Sequence, residues 1–213
     1  MKILVDFAKT LGDVIVVAPK EEQSAKGQSI NIRTGFSVRK VDLFKGVETY
    51  EVDSTPADCV RFAIYYLKDK FDIVFSGLNK GYNCGEDILY SGTIAAATES
   101  VLVGRKAIAF SADCVKMAGR IYIKEAYDYI IKNKLLEKHP FWNVNLPENS
   151  KGIKITRQGK TNFDTYFEKR NGLFYQMGEP FFSHDQKEDS DTKVVHDGYI
   201  SISAMSIDRT ISL

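Results

Sequence analysis

Residues 76–93 read SGLNKGYNCGEDILYSGT, a stretch in which carboxamides and hydroxyls stand among glycines. Asn79, Asn83, Ser91 and Thr93 supply neutral donors and acceptors, while Gly81, Gly85 and Gly92 leave room for backbone to approach a ligand. Such a set suits anion binding. A helix starting at Ser91-Gly92-Thr93 carries backbone N–H groups without internal partners and the positive end of its dipole, and both attract phosphate oxygens. An ordinary turn between strand and helix would need only the glycines. The hydroxyls and amides beside them favour a site.

Other groups capable of chemistry are scattered. His139, His184 and His196 lie far apart, with no metal-ligand spacing, and read as surface or loop histidines. Cys59 falls within a helix and reads as core packing, and Cys84 sits in the Gly-rich loop without a His or Cys partner for thiol catalysis. Asp87 is expected to cap the following helix rather than to reach a metal. Tyr82 and Tyr90 could stack on a nucleobase, although a tyrosine at a loop edge is more often packing.

The flanking elements must position these groups. Ile73, Val74 and Phe75 read as a buried strand of a parallel sheet, and residues 94–103 as a tightly packed helix closed by Gly104. Upstream, Leu4, Phe7, Ala8 and Leu11 are spaced for an amphipathic helix stopped by Gly12, and residues 14–18 form an apolar strand ending at Pro19. Only residues 1–3 precede that helix, less than the roughly five residues of an ordinary strand. Residues 20–31, with Ser24, Gly27 and Ser29, read by themselves as a solvated connection. Two strands (36–41 and 49–52) follow, then a helix start at Thr55-Pro56, where Thr55 can cap and Asp58 supports the positive end. Residues 107–110 and 141–146 are strands, and 121–131 a helix that Leu135-Leu136 extends. From residue 152 onward short runs separated by charged turns suggest antiparallel hairpins. Residues 183–193 read as a polar, mobile loop, and 198–205 as a half-buried strand. The expectation is an α/β, Rossmann-like three-layer core with a mostly parallel sheet, plus a C-terminal extension rich in β-hairpins.

Composition bounds the function. With 213 residues, 44% hydrophobic and 27% charged, the chain suits one good core, and a net charge of +1 gives no nucleic-acid or membrane footprint. Three cysteines without a CxxC pair and no signal-peptide pattern point to a reduced, cytoplasmic protein.

Six blocks carry a resemblance: VVAPKEEQSAKGQSI, DSTPADCVRFA, DIVFSGLNKGYNCGEDILYSGTIAAATES, NVNLP, KITRQGK and VVHDGYISIS. In order and spacing they resemble the SurE (survival protein E) family of metal-dependent 5'-nucleotidases, over nearly the whole chain. The resemblance implies hydrolysis of nucleoside 5'-monophosphates, with 3'-monophosphates and short polyphosphate as further substrates. It also implies one divalent ion per subunit, Mg²⁺ or Mn²⁺, and assembly as a homodimer or homotetramer. Carried over residue by residue, Ser24 and Asn79 would be metal ligands, and Asn79, Ser91, Gly92 and Thr93 would hold the phosphate. Residues 1–150 would form the phosphatase core and 151–213 the extension used in assembly, within one continuous domain.

The chain departs from the family in lacking its Asn-Asp-Asp-Gly block, whose acidic pair would fix the cation. The catalytic residues therefore have no counterpart here. The expectation is that residues 1–3 begin a central strand, that a strand and acidic loop are missing before about Asp6, and that a protein possessing them is an active phosphatase. The alternative is a catalytically inactive nucleotide-binding or scaffold member of the same fold. A Rossmann dinucleotide enzyme is disfavoured because no GxGxxG opens the first βα unit.

Overall fold

The computed structural model describes residues 1–68, 71–163, 165–178, 180–181 and 187–210. Its elements, in chain order, are α1 (Lys2–Ala8), β1 (Ile15–Pro19), β2 (Val38–Lys40), β3 (Glu48–Val52), α2 (Pro56–Arg61), β4 (Ile73–Lys80), α3 (Gly92–Leu102), β5 (Lys106–Ala112), α4 (Val115–Lys132) and α5 (Leu135–Lys138). There follow β6 (Phe141–Leu146), β7 (Ile153–Thr156), β8 (Asn162–Phe163), β9 (Tyr166–Arg170), β10 (Leu173–Met177), β11 (Pro180–Phe181), α6 (Asp191–His196) and β12 (Ile200–Ala204).

The central sheet has five strands in the order β4-β5-β6-β12-β7, and only the β6–β12 pair is antiparallel. Side chains alternate across it. Phe110, Trp142, Val144, Ile200 and Ile202 face α1 and α4, where Leu4, Ile123 and Ile130 meet them. Ala107, Ala109 and Phe141 face Ile94 and Ala97 of α3. Two helical layers thus sandwich the sheet, as the apolar runs imply. β12 departs from its expected half-burial: β6 and β7 pair its two edges and α6 packs against it, so Ser201 and Ser203 are as buried as their neighbours, and both hydrogen-bond Thr156 at 2.7 Å. β7 and β12, from the segment read as an extension, are therefore strands of the core sheet. Residues 183–186, expected in a polar loop and including His184, lie outside the described residues, and residue 191 begins α6.

The expected strand at residues 1–3 is not formed. The amides of Leu4 and Val5 donate to Met1 O at 2.9 and 3.1 Å, and α1 runs unbroken from Lys2. The helix is favoured because it buries both side chains, Leu4 beside Leu78 and Phe110, and Val5 beside Val16 and Val47. It thereby ties the central sheet to a second one, of order β1-β3-β2. Among the described residues β1 pairs only with β3 and β4 only with β5, so the parallel core is divided between two sheets rather than continuous.

Candidate functional site

β4 reaches further than its apolar run suggests. Its register with β5 is regular from Ile73↔Lys106 to Ser76↔Ala109, then shifts so that Asn79 opposes Ser111. Gly77 sits in the irregularity with φ +129°, and a Cβ there would lie 2.4 Å from Phe110 O. The shift carries Asn79 to the end of the strand. Its Nδ2 donates to Lys80 O at 3.2 Å and Gly81 O at 2.9 Å, and its Oδ1 faces the Thr93 hydroxyl at 3.4 Å.

The loop beyond is held from below by Asn83, a keystone rather than a ligand group. Asn83 is buried; its N–H donates to Asn145 Oδ1 at 2.8 Å and its Nδ2 to Ser111 Oγ at 2.6 Å, while its carbonyl accepts from Asn143 Nδ2 at 2.7 Å and Asn145 Nδ2 at 3.0 Å. The signal for this was two asparagines spaced i, i+2 in an otherwise apolar strand, which places both on one face. Asn143 Oδ1 is buried and unpaired among the described residues.

α3 begins as expected. Ser91 is the N-cap, with Oγ accepting from Ile94 N at 3.1 Å. Asp87 does not cap it; burial raises its carboxyl above the ordinary range, against a hydrogen bond from Thr161. The amides of Gly92 and Thr93 carry no hydrogen bond among the described residues and open at the positive end of an 11-residue helix. Gly92 is buried, and a Cβ there would meet Pro56 Cγ at 2.8 Å and Gln23 O at 3.2 Å. Residues 23–27 therefore lie against the start of α3, joined also by Gly27 N to Tyr90 O at 2.8 Å. Ser24 is on this loop, exposed, and donates to Glu22 Oε1 at 2.8 Å. Of the residues singled out in the sequence, Asn79, Ser91, Gly92 and Thr93 come together, and Ser24 stands on the neighbouring loop without a bond to Asn79.

The remaining candidates are quiet. Burial pushes the Cys59 thiol up to about 12 and the Cys84 thiol well above its ordinary value, so neither presents a thiolate. Tyr82 is half-buried, its phenol raised by burial and by Asp113, whereas Tyr90 is exposed beside Ser91.

A resident Mg²⁺ or Mn²⁺ does not fit the donors present. Among the described residues no three His, Cys, Asp or Glu side chains group together as metal ligands. Ser24 and Asn79 are neutral, Glu21 and Glu22 are exposed on the Ser24 loop with Glu22 bonded to Ser24, and the adjacent helix end is positive. Hard divalent ions surrender hydration to carboxylates grouped around them, and no such group is formed among the described residues.

Loops and a helix N-terminus gathered at the carboxyl ends of parallel strands define an α/β protein of the kind that holds small phosphorylated ligands. Comparisons sharpen this. A family model described as "Survival protein SurE" matches residues 1–165, and the chain belongs to that family. Among curated relatives, "5'-nucleotidase SurE" of Thermosipho melanesiensis is 34% identical, covering 92% of this chain and 81% of its own length. The protein of the same name from Thermoanaerobacter sp. is 37% identical, over 97% and 86%. The crystal structure of the SurE protein from Aquifex aeolicus superposes with a TM-score of 0.80 at 35% identity, covering 98% of this chain and 88% of that one.

Proposed function

We propose that this chain is a nucleoside 5'-monophosphate phosphatase that holds the substrate phosphate at the N-terminus of α3. The observation carrying the reading is the convergence of Asn79 with Ser91, Gly92 and Thr93 around open backbone amides, in a chain whose relatives are named 5'-nucleotidases. The Gly92 and Thr93 amides and the Ser91 and Thr93 hydroxyls donate to phosphate oxygens. Asn79 Oδ1 accepts from the Thr93 hydroxyl at 3.4 Å, a long bond that the hydroxyl gives up when it turns to phosphate. The two amides, fixed by the start of α3, need no reorganisation as charge builds during P–O cleavage. Dependence on Mg²⁺ or Mn²⁺, implied by the family resemblance, asks for negative charge that Ser24 and Asn79 do not carry.

That shortage favours a second reading, nucleotide binding without turnover. Phosphate release from AMP or GMP by the 213-residue chain, with and without Mn²⁺, separates the two. Release supports the phosphatase. Saturable nucleotide binding with no release supports the inactive member, and neither binding nor release sinks both.

The reading includes self-association in a cytoplasmic setting, with residues 1–150 forming most of the core and 151–213 concerned largely with assembly. Among the described residues no helix is long and apolar enough to cross a membrane. β9 and β10 pair with each other and with no further described strand, and Phe167 and Phe174 are 64% and 68% exposed. A lone two-stranded hairpin is marginal in water, so a second copy is its natural cover. Light scattering is expected to show an oligomer of the 24.0 kDa chain that dissociates in a Phe167→Ser, Phe174→Ser variant. A monomeric unsubstituted chain defeats this assignment.

A further inference from the structure

We infer that Asp191, together with Glu86, is a positioning residue for the phosphate site, acting through the 3-10 turn Gly85–Leu89 that delivers Ser91. The inference rests on the phosphate-binding reading above and adds residues that carry no part in it.

Asp191 opens α6 and is 1% exposed, yet its carboxylate bonds mostly outside its own helix. Oδ1 and Oδ2 accept from Gly85 N at 3.2 and 3.1 Å, and Oδ1 also accepts from Gly159 N and Thr192 N, each at 2.7 Å. One buried carboxylate thus joins the site loop to the segment after β7. Glu86 fastens the same two segments from the other side, its Oε2 accepting from the amide and hydroxyl of Thr161. Gly85 is where they touch. Its φ is +53°, and a Cβ there would lie 2.8 Å from Thr161 N and 2.9 Å from Lys160 C.

Packing alone does not require a charged group here. Burial works against ionisation of Asp191 and raises its carboxyl, while the amides of Gly159, Gly85 and Thr192 oppose that shift. What the carboxylate provides, and an apolar residue of similar volume would not, is simultaneous acceptance from amides on two separate segments. The geometry it fixes runs directly to the site. Residues 85–89 form a single 3-10 turn, Tyr90 N bonds Asp87 O at 3.1 Å, and the next residue is the α3 N-cap. Tyr90 O in turn accepts from Gly27 N, so the loop is gripped at both ends. Releasing the Asp191 end leaves Gly85 free of the α6 carboxylate. Among the described side-chain bonds, the turn is then tied to the segment after β7 at Thr161 alone, so Ser91 and the Gly92 amide sit on a looser support.

The test compares Asp191→Asn with the unsubstituted chain, using inorganic phosphate as the probe in calorimetry and amide hydrogen exchange in its absence. Asn keeps the volume and one acceptor, and it removes a buried charge, so the thermal midpoint is expected to hold. Exchange at residues 85–90 should accelerate at least fivefold, and the phosphate dissociation constant should rise at least fivefold. Glu86→Gln should act in the same direction. In a Ser91→Ala, Thr93→Val background, Asp191→Asn should cost little further affinity, because it works through those groups; a merely structural role would subtract the same amount in either background. Unchanged exchange at residues 85–90 overturns the inference whether or not phosphate binds. Faster exchange with unchanged phosphate affinity, or a fully additive loss, overturns it too. Failure of the unsubstituted chain to bind phosphate would instead strike the phosphate-site reading, and the positioning role with it.

Discussion

The Ser91→Ala, Thr93→Val chain is expected to bind inorganic phosphate at least tenfold more weakly than the unsubstituted protein. A neutral donor to a charged acceptor contributes about 1.5–3 kcal/mol, and tenfold corresponds to about 1.4 kcal/mol, so loss of even one hydroxyl reaches the threshold. The two positions differ in what else they do. Ser91 Oγ also caps α3 through Ile94 N, and removing a cap costs about 1 kcal/mol of stability. Thr93 has no capping role; its hydroxyl faces Asn79 Oδ1 at 3.4 Å, long enough to be surrendered to a ligand. Thr93→Val alone should therefore weaken phosphate without moving the unfolding midpoint, and Ser91→Ala should shift both. Calorimetric titration with circular dichroism on the same samples checks this. Unchanged phosphate binding in the double variant would place the site elsewhere.

Gly77→Ala is expected to be the most damaging single methyl addition in β4, costing at least ~3 kcal/mol, as bad backbone geometry and overpacking coincide. The φ of +129° lies where L side chains rarely go, and the added Cβ would stand 2.4 Å from the carbonyl oxygen of Phe110 in the adjacent central strand. The Phe110 carbonyl cannot yield cheaply, because β5 is hydrogen-bonded on both sides, to β4 and to β6. The register shift that carries Asn79 to Ser111 depends on this residue, so any soluble variant should also bind phosphate poorly. Two glycines calibrate the expectation. At Gly119 the new Cβ would also come within 2.4 Å of an atom, but that atom is Leu78 Cδ2 at the tip of a flexible side chain, so the loss should be smaller. At Gly12 nothing lies within 4 Å, and the change should be near neutral. Urea unfolding of the three variants gives the order directly; a Gly77→Ala chain as stable as Gly12→Ala would contradict the account of how β4 ends.

Some of this protein was decided within a few residues of chain. Thr55 before Pro56 and Ser91 before Gly92 start helices because a side-chain oxygen meets an amide three residues on. Gly104 stops α3 at φ +78° because a residue without Cβ accepts that conformation. Apolar runs of strand length put β5 and β6 inside the sheet wherever the rest of the chain went. The spacing of hydroxyls, carboxamides and glycines between Asn79 and Thr93 was legible for the same reason, and so was the family.

What local pattern could not decide was which distant group each of these meets. Asn83 became a keystone through Asn145, 62 residues away, and Asp191 grips Gly85 across 106. Lys2 and Ile3, behind Met1 as N-cap, entered a helix rather than a strand because Leu4 and Val5 found two separate cores to fill. β12 was buried throughout because β6 and β7 pair both its edges and α6 packs against it, facts its alternating sequence does not contain. Helix caps and turns are set by energies acting over three or four residues. The partner of a strand edge, or of a carboxylate, is set by which surfaces are brought together when the whole core excludes water, and only the tertiary structure holds that information.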